Sequence, residues 1–313
     1  MPLDPQFERY RERRAERRVT PLYEMTLQQA RDEDLRSIRD AAGVPEAVAA
    51  VEERVVPGPG GELALRVYRP GAAGPSPVLV YFFGGGWTLG TIDTADAICR
   101  RLTNAAGCAT VAVGYRLAPE HKFPAAVDDC HATVRWVVAY AAELGIDPDR
   151  VAVGGDSAGG NLAAAVALAA RESGPLLVHQ LLVYPNTEYG SDTESMRDNT
   201  DRYLFNRESV AWYWNNYLAD PADGADPLAS PMRAADHSGL PPATIITAEY
   251  DPLRDEGERY AARLSDAGVP THLTRFPGMA HGFFAMFGEL PAAAEAVSLA
   301  ATRLRAAFGT EGA

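Results

Sequence analysis

One stretch in the middle of the chain reads Val151-Ala152-Val153-Gly154-Gly155-Asp156-Ser157-Ala158-Gly159-Gly160-Asn161. Its first residues form an apolar run typical of a buried strand, and the Ala-rich segment 158–172 predicts a helix. Gly155 and Gly159 lie two positions either side of Ser157, where larger side chains would collide with neighbouring elements. The pattern therefore predicts a sharp strand-to-helix turn with Ser157 at its strained apex.

Strands and helices alternate on both sides of this turn. Apolar or alternating runs predict strands at 62–68, 78–83, 109–114, 150–154, 178–184, 243–248 and 271–276. Helices are predicted at 93–106, 124–143, 158–172, 254–267 and 291–307. This alternation predicts an α/β fold with a mostly parallel central sheet and helices on both faces.

Two segments interrupt the alternation. Residues 1–55 favour short helices and show no strand pattern, so they must lie against something else. Residues 186–233 contain no clear strand and are rich in aromatic side chains. A long insertion between two sheet strands is often a functional lid.

The composition argues against several classes of partner. The chain has 313 residues, 29 Lys and Arg, and 42 Asp and Glu, for a formal charge of −13. An acidic surface repels nucleic acid and anionic lipid, so neither is an expected partner. We find neither a signal peptide nor an apolar run of about 18 residues, and we expect a cytoplasmic location without membrane insertion.

The three cysteines, Cys99, Cys108 and Cys130, predict neither a disulfide framework nor a metal site. Their number is odd and no CxxC pair occurs. We expect three buried free thiols and no metal.

A glycine run, Gly84-Gly85-Gly86-Trp87, directly follows the predicted strand at 78–83. Consecutive glycines let the backbone turn N–H groups into a cavity, as acyl transfer requires where a carbonyl oxygen becomes an oxyanion. The alternative is an ordinary flexible loop, which the position after a central strand makes less attractive.

A histidine and a carboxylate complete the candidate chemistry. Of the six histidines, His281 lies in a loop just after a predicted strand, where a catalytic base could reach Ser157. Asp251 follows another strand, with Glu249 and Asp255 as nearby competitors. The order Ser157, Asp251, His281 matches a Ser-acid-His triad on an α/β-hydrolase fold.

At this point the sequence resembles the bacterial hormone-sensitive-lipase family of carboxylesterases. The resemblance covers about residues 60–310. The matching motifs are Gly84-Gly85-Gly86-Trp87, Tyr115-Arg116-Leu117-Ala118-Pro119-Glu120, Gly155-Asp156-Ser157-Ala158-Gly159-Gly160-Asn161, Asp251-Pro252-Leu253-Arg254-Asp255-Glu256 and His281-Gly282-Phe283.

The resemblance implies an α/β-hydrolase fold with an eight-stranded sheet and a helical cap. The cap would come from residues 1–55 and 187–232, and the core from 56–186 and 233–313. The N–H groups of Gly85, Gly86 and Ala158 would form the oxyanion hole. Family members usually act without a cofactor, and many pair as homodimers.

The sequence departs from the family at Phe83, where the family usually has a histidine that is thought to brace the oxyanion loop. A phenylalanine side chain cannot donate that hydrogen bond. Two alternatives follow. Either apolar packing holds the loop instead, or the oxyanion hole is less well formed.

The expected function is hydrolysis of short- to medium-chain acyl esters through a Ser-His-Asp triad and an acyl-enzyme. The substrate would be a small apolar ester, with Phe205, Trp212 and Trp214 shaping its pocket or merely attaching the cap to the core. One alternative is a non-catalytic small-molecule binding protein on the same fold. Another is an amidase or deacetylase using the same residues.

Overall fold

The computed structural model describes residues 2–71 and 74–310. Within them, eight strands form one sheet, and they are β1 Ala50–Gly58, β2 Gly61–Arg69, β3 Ser76–Phe82, β4 Ala109–Gly114, β5 Ile146–Asp156, β6 His179–Val183, β7 Ala243–Tyr250 and β8 Thr271–Ala280. Their order in the sheet is β1-β2-β4-β3-β5-β6-β7-β8. The pairs β1–β2 and β2–β4 are antiparallel, and the other neighbours pair in parallel. The predicted mostly parallel α/β sheet is confirmed.

Strands β2 to β8 correspond to the seven strands that the sequence predicts, whereas β1 was not predicted. In β3, every residue after Ser76 is buried, as expected for a central strand with both faces covered by helices.

The helices are α1 Pro5–Glu16, α2 Leu27–Ala42, α3 Asp96–Ala106, α4 Ala125–Ala139, α5 Ala141–Leu144, α6 Ala158–Ser173, α7 Glu194–Asp198, α8 Arg207–Tyr217, α9 Arg254–Asp266 and α10 Pro291–Phe308. The helix predicted at 124–143 is divided in two at Tyr140. In the described part of the chain, the segment between β6 and β7 has helices and turns but no strand, as predicted.

The predicted helical segment 1–55 was too long at its C-terminal end. Strand β1 begins at Ala50, so the last six of those residues belong to the sheet. β1 is an edge strand, and Val51 and Val55 are exposed while the charged residues between them form ion pairs. Such a strand lacks the apolar alternation by which a half-buried strand is recognised.

The N-terminal helices lie on the carboxyl edge of the sheet. From α2, Arg31 donates hydrogen bonds to the carbonyls of Thr88 and Ala118 and pairs with Glu120. From α1, Arg14 donates to the carbonyl of Tyr203 in the insertion. The N-terminal helices therefore contact both the core and the insertion. All three cysteines are buried free thiols, as predicted.

Candidate active site

Four loops meet at the carboxyl edge of the sheet. The glycine run follows β3, Ser157 follows β5, Asp251 follows β7 and His281 follows β8. Because these strands are parallel, their carboxyl ends lie at one edge, which is where α/β sheets place their sites. Residues separated by up to about 200 positions are brought together there.

Ser157, His281 and Asp251 form a continuous hydrogen-bonded chain. Ser157 Oγ lies 2.9 Å from His281 Nε2, and His281 Nδ1 lies 2.7 Å from Asp251 Oδ2. A carboxylate only accepts, so Nδ1–H donates to Asp251 and Nε2 is left to accept the Ser157 proton. The arrangement holds the tautomer that a general base needs.

The carboxylate of Asp251 is itself held in place. Asp251 is fully buried, and its Oδ1 accepts a 2.8 Å hydrogen bond from the N–H of Leu253. The competing carboxylates have other partners. Glu249 accepts from the N–H of Gly278, and Asp255 accepts from the N–H of Ser195.

The turn at Ser157 has the strained backbone that its sequence predicts. Ser157 has φ 57° and ψ −120°, and its N–H donates to the carbonyl of Val183 at 2.8 Å. A Cβ at Gly159 would lie 1.9 Å from the carbonyl oxygen of Phe82. One at Gly155 would lie 2.4 Å from that same oxygen. The two glycines therefore let strand β3 approach the turn.

The glycine run presents free backbone donors beside the serine. Gly85 and Gly86 have φ of 107° and 59°, a region that favours glycine. The described residues offer no hydrogen-bond acceptor to the N–H groups of Gly85, Gly86 or Ala158. Ala158 is the first residue of α6, where the helix dipole favours negative charge.

Phe83 is packed in an apolar arrangement, which agrees with the first of the two alternatives for this position. Its ring stacks on Tyr115 with centroids 4.3 Å apart. The Tyr115 hydroxyl donates to the Phe83 carbonyl at 2.8 Å. One tyrosine thus holds both the side chain and the backbone at the start of the glycine run.

Asp156 is a residue of the site whose contact with the glycine run the sequence did not predict. Its Oδ1 accepts from Tyr81 Oη at 2.8 Å and from the N–H of Gly84 at 3.1 Å. Burial raises the pKa of this carboxyl, while the hydrogen bond from Tyr81 acts in the opposite direction. Its position inside the G-x-S-x-G motif was the available signal.

A cavity of about 220 Å³ opens beside Ser157. It is lined by Ser157, His281 and the glycine run, by side chains of α1 and α2, and by residues of the insertion. Phe205 and Trp212 both line it, and the Phe205 ring stacks on the His281 ring at 4.0 Å. The insertion therefore contacts the base directly.

The expectation for Trp214 needs correction. Trp214 does not line this cavity and is instead buried against Trp87 and Tyr189. Its neighbour Tyr213 faces the cavity, close to Gly86. Both lie on α8, and the local sequence does not show which side of an aromatic-rich helix meets the core.

Neither a metal-ligand cluster nor a membrane-spanning helix occurs in the part of the chain that the structure describes. In residues 2–71 and 74–310, no group of three or more His, Cys, Asp or Glu side chains is arranged to hold a metal ion. Over the same part of the chain, no helix combines the length and apolar character needed to cross a membrane.

Comparison with known proteins places the chain among esterases. A family model described as alpha/beta hydrolase fold matches residues 79–285. The chain is 45% identical over 260 residues to carboxylic ester hydrolase LipN of Mycobacterium tuberculosis, covering 81% of this chain and 69% of LipN. It is 44% identical over 269 residues to carboxylesterase NlhH of the same organism, covering 82% and 83%.

A solved structure gives the same result. The hyperthermophilic esterase from Pyrobaculum calidifontis matches with a TM-score of 0.93 and 41% identity, over 98% of this chain and 99% of that one. Fold, motifs and relatives agree, and the chain belongs to the hormone-sensitive-lipase-like carboxylesterases of the α/β-hydrolase superfamily.

Proposed function

We propose that the chain hydrolyses short- to medium-chain acyl esters, with Ser157 as nucleophile, His281 as general base and acid, and Asp251 as the group that orients His281. The observation that carries the proposal is the hydrogen-bonded chain from Ser157 through His281 to the buried Asp251. Ser157, His281 and the glycine run line one cavity, and the N–H groups of Gly85 and Gly86 have no acceptor among the described residues.

Acylation begins when His281 Nε2 takes the proton of Ser157 Oγ as that oxygen attacks the ester carbonyl carbon. The carbonyl oxygen becomes an oxyanion and accepts hydrogen bonds from the N–H groups of Gly85, Gly86 and Ala158. Asp251 stabilises the positive charge that forms on His281. Nε2–H then protonates the departing alcohol, and an acyl-enzyme remains.

Water then repeats the sequence on the acyl-enzyme. His281 removes a proton from the water as its oxygen attacks the acyl carbon, and the same N–H groups hold the second oxyanion. Returning the proton to Ser157 Oγ releases the carboxylic acid. No cofactor takes part in this proposal.

The cavity walls support a small apolar ester as substrate. Most of the lining side chains are aromatic or aliphatic, with Phe205, Trp212 and Tyr213 from the insertion among them. Its volume of about 220 Å³ suits a short acyl chain better than a long one.

The test is hydrolysis of a p-nitrophenyl ester series, from two-carbon to sixteen-carbon acyl chains, by the wild type and Ser157→Ala. We expect turnover to fall at long chains and to drop by at least about 10³-fold in the variant, because the nucleophile is lost. Ser173→Ala serves as the matched control, since Ser173 is exposed at the far end of the same helix.

Unchanged hydrolysis in Ser157→Ala would contradict the assignment of the nucleophile. The binding-protein alternative predicts no turnover of any ester by a folded wild type. An amidase would instead show comparable turnover of a matched ester and amide, so the amide of one active ester belongs in the assay.

We further propose that residues 1–49 and 187–232 act together as the cap over the α/β core, since residues 50–55 belong to strand β1 of the sheet. Arg14 and Arg31 support this, because they join the N-terminal helices to the insertion and to the core. The homodimer and the cytoplasmic location stay predictions that rest on the family resemblance and the composition. Sedimentation would test the dimer.

A further inference from the structure

Asp34 is a carboxyl group of the cavity that has no part in the proposed mechanism. Asp34 lies on α2 with only 8% of its surface exposed, and it lines the same cavity as Ser157. Among the described residues, its buried Oδ2 has no hydrogen-bond partner. Burying a carboxyl oxygen without a hydrogen-bond partner costs free energy, so the missing partner of Oδ2 calls for an explanation.

The protonation of Asp34 is adjustable near neutral pH. Burial raises the pKa of Asp34 to about 7, with Asp156 and Glu33 adding to the rise and the N–H of Gly90 opposing it. The protonated acid can donate one hydrogen bond, whereas the carboxylate only accepts. A pKa near neutrality brings both the acid and the carboxylate within reach of a small change in pH.

The other charges of the cavity limit what Asp34 can bind. The guanidinium groups of Arg14 and Arg202 line the same cavity and disfavour a cationic substrate group. Asp34 and Asp156 disfavour an anionic one. A neutral hydroxyl group suits both forms of Asp34, because it can donate to the carboxylate and accept from the acid.

We propose that Asp34 is a specificity-determining residue that binds a hydroxyl group carried by the ester substrate. The inference rests on the proposed ester hydrolysis and narrows its substrate class to hydroxylated esters. Tyr213 supports it, since this insertion residue lines the cavity near enough for the charge of Asp34 to act on its hydroxyl. The two parts of the proposed cap would together face the bound hydroxyl.

The experiment compares isosteric ester pairs in which a hydroxyl replaces a methyl group. The acyl arm uses p-nitrophenyl β-hydroxybutyrate against p-nitrophenyl isovalerate. The alcohol arm uses ethylene glycol monobutyrate against propyl butyrate. The ratio of kcat/KM for the hydroxyl ester to that for the methyl ester is measured for wild type, Asp34→Leu and Asp34→Asn. The arm in which this ratio changes shows whether the acyl or the alcohol side of the ester carries the hydroxyl.

We expect the hydroxyl-to-methyl ratio in one arm to fall about tenfold in Asp34→Leu, because one substrate hydrogen bond is lost. Asp34→Asn should keep most of the ratio, since an amide also donates and accepts. Asp32→Leu, on the exposed side of the same helix, is the matched control and should keep the wild-type ratio.

A second readout does not require a folded Asp34→Leu variant. An ether oxygen only accepts, so wild-type preference for p-nitrophenyl β-methoxybutyrate over isovalerate should fall as pH rises from 6 to 8. Preference for the hydroxyl ester should persist.

Other titratable or charged groups surround Asp34. It interacts electrostatically with Glu33, Asp156, Tyr115 and Tyr213, and it shares its cavity with Arg14, Arg202 and His281. Titration of these other groups changes kcat/KM for both esters of a pair, because both esters react at the same triad.

Equal ratios in wild type and Asp34→Leu in both arms, or an ether preference that does not change with pH, would overturn the inference. Failure of the proposed function looks different. In that case the wild type would not hydrolyse propyl butyrate or isovalerate at all, or would do so without Ser157.

Discussion

Ser157 shows how one residue combines strain with function. A non-glycine residue at φ 57° costs about 1–3 kcal/mol and persists only where the surroundings determine it. Here the hydrogen bond to Val183 and the close passage of β3 past Gly155 and Gly159 determine it. The strain places Oγ at the edge of the sheet with its hydrogen bond to His281.

Among the carboxylates near the triad, Asp251 is the one that the geometry selects. Asp251→Asn should lower kcat by on the order of 10⁴, because an amide at this position can present N–H to Nδ1 and favour the wrong His281 tautomer. Steady-state kinetics on a short p-nitrophenyl ester measures the loss.

Asp255→Asn is the matched control for that prediction. Asp255 bonds Ser195 and Arg254 rather than His281, so its loss should change kcat only a few-fold. A comparable loss in both variants would mean that the carboxylates act through folding and not through the histidine.

At the scale of elements, the glycine run is held without the family histidine. Tyr115 stacks on Phe83 and bonds its carbonyl, and Asp156 receives the N–H of Gly84. Further along, Trp87 stacks on Tyr217 with centroids 4.2 Å apart. Aromatic packing and backbone hydrogen bonds thus hold the loop over its whole length.

Gly86→Ala should damage this element directly. A Cβ at Gly86 would lie 2.0 Å from the Tyr213 ring, and φ 59° disfavours any side chain. The loop must shift, and loss of an oxyanion donor should lower kcat by about 10²–10³-fold.

Gly71→Ala is the control for that prediction, because a Cβ there meets no atom of residues 2–71 or 74–310 within 4 Å. Wild-type kcat in Gly86→Ala, measured on the same ester, would show that the Gly86 N–H takes no part in the oxyanion hole.

At the scale of the whole molecule, a buried carboxyl joins the core to the insertion. Glu256 of α9 accepts the N–H of Thr187, where the insertion begins, at 2.7 Å. Burial raises the pKa of Glu256 to about 8, opposed by the N–H groups of Thr187 and Glu188. The neutral acid is therefore the form that suits the folded protein.

This linkage predicts a loss of stability with rising pH. Glu256 ionises near its ordinary pKa of 4.5 when unfolded but near 8 when folded, so the unfolded state binds fewer protons between these values. Compared with Glu256→Gln, the wild type should lose several kcal/mol of unfolding free energy as pH rises from about 4.5 to about 8. Urea unfolding of both proteins at pH 5, 7 and 9 measures the difference.

Other titrating groups, including Asp34, are present in both proteins and cancel in this comparison. A difference between wild type and Glu256→Gln that stays constant across the three pH values would show that Glu256 is ionised in the folded state.

The sequence by itself determined the fold class and predicted which residues would form the triad. The hydrophobic periodicity of a strand or a helix is visible in the local sequence. A chain that alternates strands and helices can bury their apolar faces in only a few architectures. The nucleophile turn is also local, because its glycines, strand and helix are contiguous. Since parallel strands end at one edge, Asp251 and His281 could be chosen from their positions after strands.

Tertiary structure alone decided the features that depend on contacts between distant segments. β1 is a strand because it pairs with β2, and its own charged sequence lacks the apolar alternation that predicts a half-buried strand. Tyr213 rather than Trp214 faces the cavity because of how α8 rests on Trp87. In the sequence, Asp34 is one of several acidic residues of a charged helix. Only the tertiary structure buries it in the cavity that Ser157 also lines. Its protonation depends on that burial and on its neighbours, and not on its residue type alone.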